Sequence, residues 1–475
     1  MSTLAFRSTA PAGVATLVTA CLAVSACILF IDFPALEISW AFLALTLLLL
    51  FCVWTPLWTP RLTWTRIDQL VWAILIGHTV QFFPEQLPRV LSSGIGMTTF
   101  IIYQMIIWTL CLSYSGLRLL ATSARLAGLI GPSGKYVTLL LIAATASSLY
   151  AVSAMITLAW SLKLLTIVLT ACLLFDARDP HGSAVRFREA TFLGLVLLLL
   201  LFAVSATILP EMASEISNVN KVWRLGGTLL AATKLSAVAG LLALLTLVEM
   251  LASRATNATK LLFLLTSALM LASLGRGGML ATGVSFVVVL MLFRRVRLAV
   301  VLSGVVCLVF LVVPGAVDAS WEMLSRRQGL GELASLTGRV PLWQTTVSLI
   351  SEKPILGWGY VAGSRISLVT NFKAWPATDA HNAFLQMLLT LGCVGLFLLA
   401  AILSKIFMRL WPILRQEWSP SSPSARGLLA VQFLALAVFL LVQGMLEGGV
   451  SSSPNFETAI LVGCVFAVDA LHRPS

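Results

Sequence analysis

Stretches of roughly 20 apolar residues, the length that crosses a bilayer core as a helix, recur from one end of this 475-residue chain to the other. In lipid the backbone must satisfy its own hydrogen bonds. The pattern therefore predicts an all-α polytopic transmembrane helix bundle of about 12–14 spans. Fourteen candidates lie near 12–31, 35–54, 67–83, 95–117, 136–153, 158–175, 191–209, 228–251, 260–274, 277–293, 298–316, 382–403, 427–446 and 456–471. The pair within 136–175 holds one charge, Lys163, and reads either as a two-span hairpin or as one span plus a re-entrant piece. Charged residues make up 11% of the chain, against roughly 25% in soluble domains. No polar linker is long enough to separate domains. A soluble enzyme, a nucleic-acid-binding domain and a disordered chain are excluded, and residues 1–475 read as a single integral-membrane domain.

The charges orient the map. With the N-terminus cytoplasmic and the spans alternating, the inner loops take 19 basic and 7 acidic residues and the outer loops 10 and 12, with Lys163 and Lys234 inside spans. Basic loops mark the cytoplasmic side, and this bias accounts for the net charge of +12 without a nucleic-acid partner. Arg7 followed by an apolar run also resembles a signal peptide, and Val24-Ser25-Ala26-Cys27 a lipoprotein cleavage box. The apolar run continues through Ile31, so a retained span is the preferred reading; cleavage leaves every later orientation unchanged. All eight cysteines fall within apolar spans and no CxxC occurs, so neither disulfides nor a cysteine metal site is expected. The four histidines are scattered. No metal site and no cofactor are expected.

One outer segment stands apart. Residues 318–381 form a polar stretch of about 60 residues, read as a long periplasmic loop between late spans; loops of that length are more often functional than plain connectors. Within it Gly338-Arg339-Val340-Pro341-Leu342-Trp343 opens an amphipathic stretch. Trp343, Val347 and Ile350 recur there at helical spacing, suiting a short helix on the membrane surface. Pro354-Ile355-Leu356-Gly357-Trp358-Gly359-Tyr360 follows, its aromatics suited to an interfacial anchor. The loop closes on Asp379-Ala380-His381-Asn382 before an apolar helix, with Asp379 or Asn382 as N-cap. His381 at the positive end of that helix is expected to stay neutral and able to take a proton; the alternative is a polar helix-start residue facing water.

Two outer arginines run against the charge bias. Arg224 lies in Trp223-Arg224-Leu225-Gly226-Gly227 and Arg276 in Ser273-Leu274-Gly275-Arg276-Gly277-Gly278. Arginine binds phosphate through a planar fork and does not deprotonate, and the neighbouring glycines are expected to let a bulky head group approach the backbone. A lipid pyrophosphate suits both; the plainer reading is a turn residue snorkelling to head groups. Lys163 and Lys234, inside spans, read either as functional cations or as snorkelling side chains. Glu447 ends the thirteenth span either as an arginine partner or as a simple helix-end carboxylate.

Taken in order, the S-x-x-R-G turn, TGRVPLW, PILGWGY and the closing HN-x-F-L-Q resemble the O-antigen ligase/polymerase superfamily, to which exopolysaccharide polymerases also belong. The likeness runs from about Ser273 to Gly395, and the RLGG before the eighth span adds to it. It implies a metal-independent, inverting membrane glycosyltransferase whose donor is a glycan on undecaprenyl pyrophosphate. Such an enzyme sits in the bacterial inner membrane with its active site periplasmic. By the same likeness Arg224 and Arg276 hold the pyrophosphate, His381 is the general base, and Arg339 is a further donor contact. The sequence departs from the family at Gly275, where a second serine is usual, and at Ala232-Thr233-Lys234, where Lys234 stands as a substitute donor contact. The implied partners are the lipid-linked oligosaccharide, a glycan or glycolipid acceptor, membrane lipids and other polysaccharide-export components. TGRVPLW and PILGWGY lean toward a polymerase over a ligase joining glycan to lipid A-core. A transporter or lipid flippase, the rival from another class, predicts inverted repeats, and none is evident.

Overall fold

The computed structural model describes residues 64–78, 97–122, 129, 131–208, 214–216, 223–227, 230–295, 297, 339–373, 377–420 and 423–472. The spans near 12–31, 35–54 and 298–316, the cleavage-box alternative and residues 318–338 of the long loop lie outside them. Every other sequence span is a helix. These are α1 (Trp64–His78), α2 (Met97–Ala121), α3 (Gly134–Ala146), α4 (Ala154–Leu174), α5 (Pro180–Ile208), α6 (Ala232–Leu251), α7 (Asn257–Ala272) and α8 (Arg276–Leu292). After α9 (Arg339–Glu352), which belongs to the long loop, come α10 (Ala383–Glu417), α11 (Ala425–Leu446) and α12 (Phe456–His472). The 136–175 pair is a hairpin, α3 and α4 joined through a 3-10 turn at Ser147–Leu149. Helices α4, α6, α10 and α11 are long and apolar enough to cross a membrane. The chain is an all-α multi-pass membrane bundle.

Local chemistry sets the boundaries. Ser153, Thr256 and Ser424 accept backbone N–H bonds at the starts of α4, α7 and α11, which satisfies donors that a helix start otherwise leaves open. Pro180 opens α5, where its missing N–H costs nothing. Helix α12 packs against α4, α5, α10 and α11 and is buried along most of its length. Phe187 of α5 meets Trp72 at 5.8 Å, Phe175 at 5.9 Å and Phe433 at 5.7 Å between ring centroids. Gly463 lets that ring in, since a Cβ there would stand 2.0 Å from Phe187 Cε2. Leu261, Leu264 and Leu265 of α7 and Leu280, Val287 and Met291 of α8 are exposed, a surface that matches lipid.

The ion pairs sort to the two ends of the bundle. Arg118–Asp68, Arg186–Asp179, Arg188–Glu249, Arg409–Asp469 and Arg426–Glu417 share one end. Lys234–Glu457, Arg339–Glu447 and the contacts of His381 share the other. This grouping follows the alternation of the sequence map. A two-stranded antiparallel ribbon, β1 (Ser214–Ile216) with β2 (Trp223–Leu225), was not expected from the helical pattern; it lies in the connection between α5 and α6.

The described part of the long loop, residues 339–373 and 377–381, is folded onto the site end. Helix α9 buries Leu342, Thr346 and Leu349 and leaves Val347 exposed. The face expected from Trp343, Val347 and Ile350 is therefore rotated, because the loop packs on α10. The 354–360 segment also departs from an interfacial anchor: Tyr360 is buried, and the backbone threads into a break in α10. At Gly392 (φ 63°) the helix is interrupted. The N–H groups of Trp358 and Gly359 donate to the carbonyls of Leu389 and Thr390 at 2.9 Å, and Cys393 N donates to Pro354 O at 2.9 Å. The loop thus satisfies the groups the break frees. A Cβ on Gly392 would stand 2.2 Å from Ile355 O and 2.3 Å from Ile355 C, atoms that cannot swing aside. Gly392→Ala is expected to cost more than about 2 kcal/mol, read as a lowered Tm of the detergent-purified protein; an unchanged Tm would mean the turn does not seat there.

Candidate functional site

His381 sits at φ 46°, a left-handed conformation that a side chain adopts only when its surroundings impose it. The surroundings are explicit. Ala380 N donates to Gln386 Oε1 at 2.9 Å, and Ala380 O accepts from Trp343 Nε1 at 2.9 Å. His381 N donates to Asp379 Oδ1 at 2.9 Å. Asn382 is the N-cap of α10, its Oδ1 accepting from Phe384 N and Leu385 N, while its Nδ2 donates to Met445 O at 3.0 Å. The imidazole is thereby fixed between the start of α10 and the end of α11.

Its Nδ1 lies 3.3 Å from Glu447 Oε2 and 3.2 Å from Asp379 Oδ1. Glu447, just past the end of α11, is buried and takes Arg339 Nη2 on Oε1 at 2.7 Å. Arg339 also donates to Leu446 O. Burial would raise the Glu447 carboxyl, but Arg339 and His381 hold it down at about 2. Burial also disfavours a charged His381 ring, and Arg339 adds to that. Asp379 and Glu447 outweigh both and lift the His381 pKa above its ordinary value. The expectation of a ring kept neutral by the helix end is thus corrected: two adjacent carboxylates dominate the partial charge of the helix terminus.

Arg276, the first residue of α8, belongs to the same cluster. Its charge and that of Arg339 act on each other, and the neighbouring Gly277 would bring a Cβ within 3.4 Å of Glu447 Oε1. Arg224 stands on β2, paired in register with Glu215 of β1, in a ribbon that packs on α6 and α7. Lys234 is engaged elsewhere, donating to both carboxylate oxygens of Glu457 at 2.9 and 2.7 Å. Three of the glycines beside the arginines, Gly226, Gly275 and Gly278, are packing positions, whereas Gly277 faces Glu447. A Cβ on Gly275 or Gly278 would meet Ser236 of α6 at 2.4 Å, and one on Gly226 (φ 109°) would meet Ala232 Cα at 2.5 Å. The left-handed residue of the α7–α8 turn is Leu274 (φ 50°).

The cluster draws Arg276, Arg339 and His381 together, from the start of α8, the start of α9 and the turn before α10. Residues 261–400, which contain all three, match the family model described as O-Antigen ligase. Over this stretch the chain is similar to the O-antigen ligase/polymerase superfamily. Members of that superfamily are glycosyltransferase-like membrane enzymes that act on lipid-linked glycans. The matched stretch covers less than half of the chain and leaves Arg224, Lys234 and Glu447 outside it. No curated protein matches the chain.

Sequence reasoning missed Asp379 as a partner of the ring, Glu457 as the partner of Lys234, and Gln386 as the brace of Ala380. Gln386 carried a signal: a glutamine one turn into an apolar helix is costly unless it is bonded, and both ends of its amide are, Nε2 to Ser364 Oγ at 2.8 Å.

Proposed function

We propose that this protein is a metal-independent, inverting glycosyltransferase of the bacterial inner membrane. It takes a glycan from an undecaprenyl-pyrophosphate-linked donor and acts at the periplasmic end of the bundle, the N-terminus being cytoplasmic. The observation that carries the reading is the Arg339–Glu447–His381 chain, set beside Arg276 at one end of a multi-pass bundle. Glu447, anchored by Arg339, accepts a hydrogen bond from Nδ1–H, which keeps that proton on the ring and leaves Nε2 to receive the proton of the acceptor hydroxyl, the logic by which a carboxylate orients a catalytic histidine. The hydroxyl oxygen attacks the anomeric carbon as the bond to the pyrophosphate oxygen breaks. The leaving group carries the electron pair away as diphosphate, and Arg276 and Arg224 stabilise its charge. The reading favours a polymerase, joining the glycan to a second lipid-linked glycan, because TGRVPLW and PILGWGY lean that way.

The pH profile tests the base. Only the neutral ring accepts a proton, so kcat/KM rises with pH through the His381 pKa, here above that of free imidazole because Asp379 and Glu447 favour the cation. Glu447→Gln removes one of those negative charges. The expected result is an inflection moved to lower pH by about one unit, the shift that corresponds to roughly 1.4 kcal/mol of lost interaction. An inflection that stays in place would detach Glu447 from the titrating group.

A further inference from the structure

A second set of cations lies beside the first, and the chemistry above does not use it. Arg365 sits in a π-helical turn, Gly363–Leu368, a rare geometry that recurs at functional sites. Its guanidinium carbon stands 5.5 Å from the centroid of the Trp160 ring. Lys163 Nζ stands 4.2 Å from the same centroid and 5.4 Å from that of Trp108 on α2. Lys163 is nine residues into α4, roughly 13 Å along the helix from Ala154. Two positive charges thus share one indole. Among the described residues neither makes an ion pair with a carboxylate; the acidic group that acts on Arg365 is Asp379, which is already held against His381. Arg339 and Lys234, by contrast, are each bound to a buried glutamate.

Like charges brought together in a partly buried place repel, and burial makes the repulsion stronger. Such a pair persists where an anion is received between them. The surroundings say what kind. Met155, Leu158 and Leu162 on α4 and Leu149 in the preceding turn are exposed and apolar, so the α4 surface beside Lys163 faces hydrocarbon. An anion arriving from that side is carried by a lipid. We propose that Lys163 and Arg365, flanked by Trp160 and Trp108, form a second anion site that takes the phosphate of a membrane lipid. The site joins the His381 cluster through Asp379, whereas Arg276 and Arg339 join it through Glu447. Resting on the glycosyltransferase reading, this second site holds the acceptor's lipid phosphate while the arginine side holds the donor's.

The test measures binding apart from turnover. Undecaprenyl phosphate, phosphatidylglycerol and inorganic pyrophosphate are titrated into the full-length, detergent-purified protein, and bound copies are counted by native mass spectrometry. The wild type is expected to retain undecaprenyl phosphate at two sites. Lys163→Met/Arg365→Gln is expected to lose one of them, with at least tenfold weaker retention, and His381→Ala to keep both. In turnover assays the double variant is expected to raise the acceptor KM at least tenfold and leave the donor KM unchanged. Unchanged retention in a monodisperse double variant would overturn the proposal, as would equal occupancy by pyrophosphate alone, which would make the ligand a free anion. Absence of glycan transfer by the wild type would sink the enzyme reading and leave the binding result standing.

Discussion

Glycan transfer by His381→Ala is expected to fall about 10²- to 10⁴-fold, the usual worth of a placed general base, with expression and Tm close to the wild type. The fold has little reason to respond. The bonds that impose the left-handed backbone run through Ala380, Asp379 and Asn382 rather than through the ring. His381→Asn separates the two roles further, because asparagine tolerates that conformation and cannot act as the base. It should be as inactive as the alanine variant. Transfer within a few-fold of wild type in both variants would remove His381 from the reaction.

Lys234→Met is expected to destabilise the protein by about 3–5 kcal/mol, the range for breaking a buried ion pair from one side. Glu457 has no exposure and holds Lys234 through both oxygens; without the ammonium it remains as a charge inside the bundle. Lys234→Met/Glu457→Gln should recover most of the loss, since no uncompensated charge remains. The pair of Tm measurements also decides what Lys234 does. A side chain whose purpose is donor contact would lower the donor affinity on replacement and leave Tm where it was.

The helical architecture was legible because one rule dominates it. Apolar length in lipid favours helix, and each span in the described residues falls on a helix. The ends moved where charge replaced hydropathy as the guide. Helix α5 begins at Pro180, not near 191, and α10 runs on to Glu417 past Lys405 and Arg409, because charged helix formers extend a span beyond the hydrocarbon. Inside the long loop the sequence was a poorer guide. The packed face of α9, the seating of 354–359 in the break at Gly392 and the orientation of the glycines at 275 and 278 all depend on partners distant in the chain. Hydrophobic spacing carries no information about those partners. The candidate site divides in the same way. Arg276 was readable as a cation against the charge bias, His381 as an imidazole at a helix start and Arg339 only through the family likeness, whereas the carboxylates that set the charge of the ring come from a helix end 66 residues further on and from a turn read only as a cap.

The most direct test of the account is to incubate the purified protein with a lipid-linked oligosaccharide and a chelator and to separate the products. The account predicts a ladder of longer lipid-linked glycans accompanied by released undecaprenyl pyrophosphate, and the loss of both with His381→Ala. An unchanged oligosaccharide, both alone and with lipid A-core supplied as acceptor, would contradict it.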